Sequence, residues 1–238
     1  MGRITRIGWG FLWTLALLVF VFCAVYPVGT TATRAAGVLS FAVLWIGLLA
    51  LLWKRPLWRW VGPAVTVAVA VFLLLPGQPV SPRGLREKYA GCLRRYEGVH
   101  YVRGGENALG IDCSGLARRG LMDALFLEGV RTFNPALVRA ALGLWWNDAS
   151  AQTIAESREL TVPVEEAPQI NLLDHARLRP GDMAVTASGV HLLIYLGDQT
   201  WIEADPTEER VVVVRVPSQS NSWLTTPVRV VRWKILEP

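Results

Sequence analysis

The 238-residue chain is 52% hydrophobic and its mean hydropathy is +0.34, high for a purely soluble protein, with a formal charge of +5. The charge is unevenly placed: residues 1–86 carry eight Lys or Arg and no acid, which leaves sixteen bases against nineteen acids in 87–238. The basic excess therefore belongs to the most apolar third, which describes a membrane anchor and excludes a nucleic-acid footprint.

Three apolar stretches come first, at about residues 8–28, 36–53 and 60–76, each near the ~20 residues an α-helix needs to cross a bilayer. The third is Val- and Ala-rich, so a buried segment competes with a span. The first also resembles a signal peptide, but the two runs after it weaken that alternative. Trp53, Trp58 and Trp60 cluster where one membrane boundary would fall. We expect about three transmembrane helices within an anchor of residues 1–80. Arg3 and Arg6 precede the first span, and Lys54, Arg55 and Arg59 crowd the second loop, so the N-terminus faces the cytoplasm. Three spans then deliver the C-terminal domain to the far side, although Arg83, Arg86 and Lys88 pull the other way.

PGQPVSPRG, residues 76–84, has linker composition, and a domain over 85–238 follows. Leu85, Tyr89, Cys92, Leu93 and Tyr96 recur at helical spacing, with Gly98 as a stop. Helical patterns return at 113–126, with Gly129 as a stop, and at 135–146. The acidic, Pro-punctuated stretch 156–180 is expected to be a long surface loop. From Gly181 onward short β-branched and aromatic runs alternate with Gly, Asp and Pro, the pattern of antiparallel strands. Helices first and strands after predict an α+β domain.

Within GIDCSGL, residues 110–116, Asp112 is a favoured N-cap and Cys113 falls in the first helical turn. Unpaired N–H groups and the positive end of the helix dipole favour a thiolate there. An inert packing thiol, or a disulfide with Cys92, is the plain alternative. A nucleophile needs a base, and a base needs a partner that fixes its tautomer. His191, at the head of the strand-like VHLLIYLG, is the best-placed histidine; His100 and His175 are expected to be solvated. A three-residue turn centred on Gly197 would set Glu203 directly opposite His191, whereas a two-residue Gly197-Asp198 turn would flip Glu203 to the other face and leave Asp205 as the candidate. Gly104 and Gly105 lack the Lys and Ser/Thr of a phosphate loop and suit a turn or a close backbone approach. The cysteines form no CxxC pair and the histidines lack zinc-ligand spacing, so no metal or other cofactor is expected.

Taken together, YEGVHYVRGGENALGIDCSGL, LRPGDMAV and GVHLLIYLGDQTWIEA resemble the NlpC-type cell-wall peptidases, a bacterial branch of the papain-like cysteine peptidases. The resemblance covers about residues 88–216. It implies a papain-like fold, with a nucleophile helix packed on an antiparallel sheet that carries the base, and hydrolysis of peptide bonds in peptidoglycan stem peptides beside D-glutamate. Cys113 would be the nucleophile, His191 the base and Glu203 the third polar residue. Tyr101 would line the site, and Asp112 and Ser114 would help to recognise substrate. Glu203 departs from the more usual His, Asn or Gln, and Arg103 from an aromatic. The longer connection over 131–179, with Trp145-Trp146, is expected to reshape the cleft. The implied location is the bacterial cytoplasmic membrane, with the catalytic domain outside. The alternatives are a lipid or amide hydrolase or acyltransferase using the same pair, and an inactive envelope-binding module.

Overall fold

A computed structural model describes residues 3–237; the side chains of 3–7, Arg3 and Arg6 among them, lie outside the description. Three apolar helices open the chain: α1 (Arg3–Val25), α2 (Thr31–Leu52) and α3 (Trp58–Leu74). Among the described residues two helices are long and apolar enough to cross a membrane, at Gly8–Val25 and Thr31–Leu52. The third candidate span does not reach that length: α3 has 17 residues, or ~25 Å of rise against a ~30 Å hydrocarbon core. Thr30 caps α2 through a reciprocal box with Thr33.

The C-terminal part of the chain begins with α4 (Pro82–Arg94), started by the Ser81 cap and Pro82. A minimal hairpin follows, β1 (Glu106–Asn107) and β2 (Gly110–Ile111), and leads into α5 (Cys113–Arg131). Gly129 does not end α5, which runs on to Arg131. It lies inside the helix where α6 (Pro135–Trp146) crosses, and a Cβ there would stand 2.8 Å from a Val138 methyl. The missing side chain serves helix packing. A short α7 (Ala151–Glu156) that the sequence pattern does not announce then leads into the sheet.

Six antiparallel strands form that sheet: β3 (Thr161–Ala167), β4 (Met183–Thr186), β5 (Leu192–Gly197), β6 (Thr200–Asp205), β7 (Arg210–Arg215) and β8 (Val228–Trp233), in the order β3-β8-β4-β5-β6-β7. Helices followed by an antiparallel sheet make the domain α+β, as expected. The expected long loop is corrected by β3, an edge strand against β8 whose register shifts between Pro163 and Glu165. An edge position tolerates a proline and charged side chains, because the outer N–H groups have no ladder to join. Leu192, Ile194, Leu196, Ile202 and Val231 pack with Leu116, Leu121 and Leu125 of α5 in the main core. Leu193, Tyr195 and Trp201 alternate to the other face, under the segments around Ile170 and Leu224. Cys92 is buried in the main core, and Cys92 and Cys113 are both free thiols, so the alternative of a disulfide between them does not hold.

Candidate active site

The start of α5 is fixed by one carboxylate. Asp112 Oδ1 accepts from the Gly115 N–H at 2.6 Å and from the Ser114 hydroxyl at 3.0 Å, while Oδ2 accepts from the Gly104 N–H at 2.8 Å. The Asp112 N–H donates in turn to the Gly105 carbonyl at 3.1 Å. Gly115 is required here: a Cβ would run into that Gly105 carbonyl. Cys113 is thereby held at a helix N-terminus with 6% of its surface exposed and its sulfur 4.0 Å from the Val190 carbonyl oxygen. Asp112 and Ser114 also line a cleft of about 200 Å³ with Arg103, Glu106, Arg118 and Asp148.

His191 stands immediately before β5, next to Val190, and is buried. Its Nε2 lies 2.5 Å from Glu203 Oε2, and the other carboxylate oxygen accepts from Asn221 Nδ2 at 2.6 Å. With Nε2 committed to Glu203, Nδ1 is the nitrogen left for sulfur. Burial alone lowers the affinity of the imidazole for a proton. Hydrogen bonding to Cys113 and Glu203, and their charges, outweigh it and lift His191 to about 9. Trp223 stacks on the ring at 4.3 Å between centroids, which shields one imidazole face from water.

The turn that sets this geometry is neither of the two considered from sequence. Asp198 and Gln199, both at positive φ, form a two-residue turn between Gly197 and Thr200. An irregularity between Tyr195 and Gly197 then restores the parity, so that Tyr195 faces Trp201 and Ile194 faces Ile202. Glu203 thus keeps the face of His191 but is displaced along the ladder, and its long side chain reaches the ring diagonally. Asp205 spends Oδ1 on the Thr207 N–H at 2.7 Å.

Tyr101 is half-buried, and Cys113 and Asp112 are among the groups that push its hydroxyl up, after burial itself. His100 is exposed and pairs its backbone with Arg210. His175, expected to be solvated, is half-buried instead: it accepts from Trp201 Nε1 at 3.2 Å and packs on Tyr195. Trp145 and Trp146 end α6, and Trp145 lines a cavity beside α1 and α2 instead of the Cys113 cleft. Sequence reasoning missed Asn221 and Trp223. They lie in an irregular segment with no periodic signal, and only the fold carries them to His191.

The connector between α1 and α2 meets this site directly. Val28 bridges Gly105, the Gly29 N–H donates to the Gly104 carbonyl at 3.3 Å, and the Glu106 N–H donates to Pro27. Arg34 and Arg118, both buried, converge on Glu106 Oε1 at 2.5 and 2.8 Å, and Arg118 also holds Asp148 at 2.5 Å.

A model of the NlpC/P60 family matches residues 98–232, more than half of the chain. Among solved structures, NlpC1 from Trichomonas vaginalis aligns at 18% identity and a TM-score of 0.41, over 66% of this chain and 47% of that one. The P60 domain of an antigen from M. avium subspecies paratuberculosis aligns at 22% identity and a TM-score of 0.40, over 67% and 100%. The peptidoglycan hydrolase RipB from Mycobacterium tuberculosis aligns at 18% and 0.41, over 80% and 90%. The chain thus spans about half the length of the first of these proteins. No curated protein matches.

Proposed function

The chain belongs to the NlpC/P60 family, a family of cysteine peptidases that act as peptidoglycan hydrolases, and on that premise we propose that it is a membrane-anchored cysteine hydrolase that cleaves peptide bonds in peptidoglycan stem peptides. Cys113 is the nucleophile, His191 the base and acid, and Glu203 the orienting group. The observation that carries the assignment is the imidazole held between a helix-start thiol and a buried carboxylate.

The chemistry follows from the atoms. Glu203 accepts from Nε2–H and so keeps Nδ1 turned toward sulfur. With the thiol proton on Nδ1, sulfur attacks the scissile carbonyl carbon. The oxyanion that forms is met by the Cys113 backbone N–H at the start of α5, with the Tyr101 hydroxyl as a second donor. The imidazolium gives its proton to the departing amine as the C–N bond breaks. Water, deprotonated by the same imidazole, then attacks the thioester and releases the acid and the free thiol. Asp112 and Ser114, on the wall of the adjacent cleft, contact the substrate chain.

The domain over 85–238 is carried by an anchor over 1–80 that crosses the bilayer three times. Two helices have the length to span, and in this reading the 17-residue α3, ~5 Å short of the hydrocarbon core, crosses where the bilayer thins around it. Since α2 leads the chain away from the catalytic domain and α3 brings it back, α3 crosses wherever α1 and α2 do. Lys54 and Arg55 in the α2–α3 loop and Arg59 in the first turn of α3 favour the cytoplasmic side for that end, and the catalytic domain faces outward. A test compares wild type with Cys113→Ala and His191→Ala on purified muropeptides, reading products by mass. Cleavage by wild type and by neither variant is expected; cleavage that survives Cys113→Ala would remove the assignment.

A second reading, hydrolysis of a lipid-borne amide or ester by the same pair, is favoured by one observation: the nucleophile loop pairs with the membrane connector. Lipid products without muropeptide cleavage would select it.

A further inference from the structure

Helix α6 is fastened to the apolar helices at both ends. Near its start, Arg139 donates to the Leu73 and Leu75 carbonyls at 2.5 and 2.8 Å, which satisfies the C-terminus of α3. At its last residue, the Trp146 carbonyl accepts from Arg34, in the first turn of α2, at 3.1 Å. Just before α6, Phe133 packs edge-on against Phe72 of α3, with ring centroids 6.0 Å apart. Trp145 shares a cavity of about 400 Å³ with Phe20, Val38 and Phe41 of α1 and α2. The helix therefore lies across the domain-side ends of α2 and α3.

Its two faces differ. Leu137, Val138 and Ala141 point into the domain. Arg139, Leu142 and Trp146, three and four residues apart, are exposed on the other face, and Phe133 beside them is 79% exposed. A Trp, a Leu and a Phe left open at the ends of apolar helices, with one Arg whose stem can lie along the apolar surface, form the pattern of a helix lying in a membrane interface. Their continuity with α2 and α3 points to lipid as the occupant.

We infer that α6 is an interfacial helix whose Arg139–Leu142–Trp146 face lies in the boundary between lipid headgroups and acyl chains, seating the catalytic domain on the bilayer. This rests on the reading that α1–α3 cross a membrane. The seat fixes the height of the active site. Arg34 holds Trp146 and Glu106 together, and Cys113 is separated from Val28 by one peptide step, the Asp112–Gly105 hydrogen bond and the Gly105–Val28 bridge. Those three steps span at most ~15 Å between Cα atoms. The site thus works at the bilayer surface, on peptide that comes to the membrane.

The test uses the full chain in lipid nanodiscs with a benzophenone amino acid installed, one position per sample, in place of Leu142, Trp146, Leu39 or Arg215. Leu39 is an exposed residue of α2, and Arg215 an exposed residue at the end of β7 remote from His191. After irradiation, lipid adducts by mass at 142, 146 and 39, and none at 215, are the expected result. Adducts at 39 without any at 142 and 146 would overturn the interfacial seat and leave the anchor standing. Absence of lipid at 39 would remove the anchor, and the inference with it. Cross-linking of 142 or 146 to a second copy of the chain would also overturn it, since the face would then be a protein interface.

Discussion

His191 and Glu203 are joined by a 2.5 Å contact although the β5–β6 ladder does not set them opposite each other. A two-residue turn followed by an irregularity at Leu196 shifts the pairing while preserving the face, and the length of a glutamate side chain covers the diagonal. A shorter acid such as Asp at 203 would not cover this diagonal.

The proton on His191 carries a pH signature. Its native pKa, about 9, stands above the ordinary value of 6.5. The stabilisation from its protonated form is therefore complete below about pH 6.5 and is lost as pH rises through about 9. Turnover needs the imidazolium to protonate the leaving amine, so kcat/KM is expected to fall on the basic side with a midpoint near 9. A basic limb at the ordinary histidine value would contradict the pairing with Cys113 and Glu203.

Glu203→Gln keeps the shape but removes the charge that holds Nε2–H and helps to raise His191. We expect the basic limb to move toward neutral pH, because the charge that favours the imidazolium is gone, and kcat/KM to fall by only about tenfold, the equivalent of one pKa unit of lost stabilisation, because the amide oxygen still accepts from Nε2–H. Steady-state kinetics across pH measure both. A basic limb that stays where it is in wild type would remove Glu203 from the site.

Gly115→Ala pushes a methyl group into the Gly105 carbonyl, which also accepts from the Asp112 N–H. Thermal unfolding of the full chain should report a destabilisation of about 1–3 kcal/mol or more, with slower alkylation of Cys113. Gly84→Ala, in open space at the first turn of α4, should leave both properties near wild type.

Trp223→Ala opens the stacked face of His191 to water. More solvation favours screening of the imidazolium from Glu203 and Cys113, so a loss of about tenfold in kcat/KM is expected, in the range of effects of groups that position a reacting residue. Trp223→Phe retains a ring at that place and should recover most of it.

Much of this architecture is local chemistry, and local chemistry is visible in a single chain. Asp112 ahead of Cys113 announces a capped helix start because a side-chain oxygen there satisfies an N–H that the helix leaves open. Helical spacing in 85–96 and β-branched runs after Gly181 announce α4 and the strands for the same kind of reason, since periodicity decides which side chains can be buried together. The apolar, acid-free N-terminal third likewise marks itself as different from the rest. Less was visible where an element depends on its neighbour. Gly129 looks like a helix stop until α6 is seen to cross there, and β3, with its proline and acids, becomes a strand only because β8 offers it an edge.

The same division holds at the site. Sequence by itself determined the candidates Cys113, His191 and Glu203 and the helix dipole that acts on the first of them. Only the tertiary structure decided that one imidazole meets both the sulfur and the carboxylate, that Asn221 and Trp223 complete its surroundings, and that Arg34 in the first turn of α2 grips the loop before Cys113 through Glu106. The physical reason is range. Caps, turns and periodicity act over a few residues, whereas these contacts join groups far apart along the chain, and their geometry depends on a register shift that no local rule dictates.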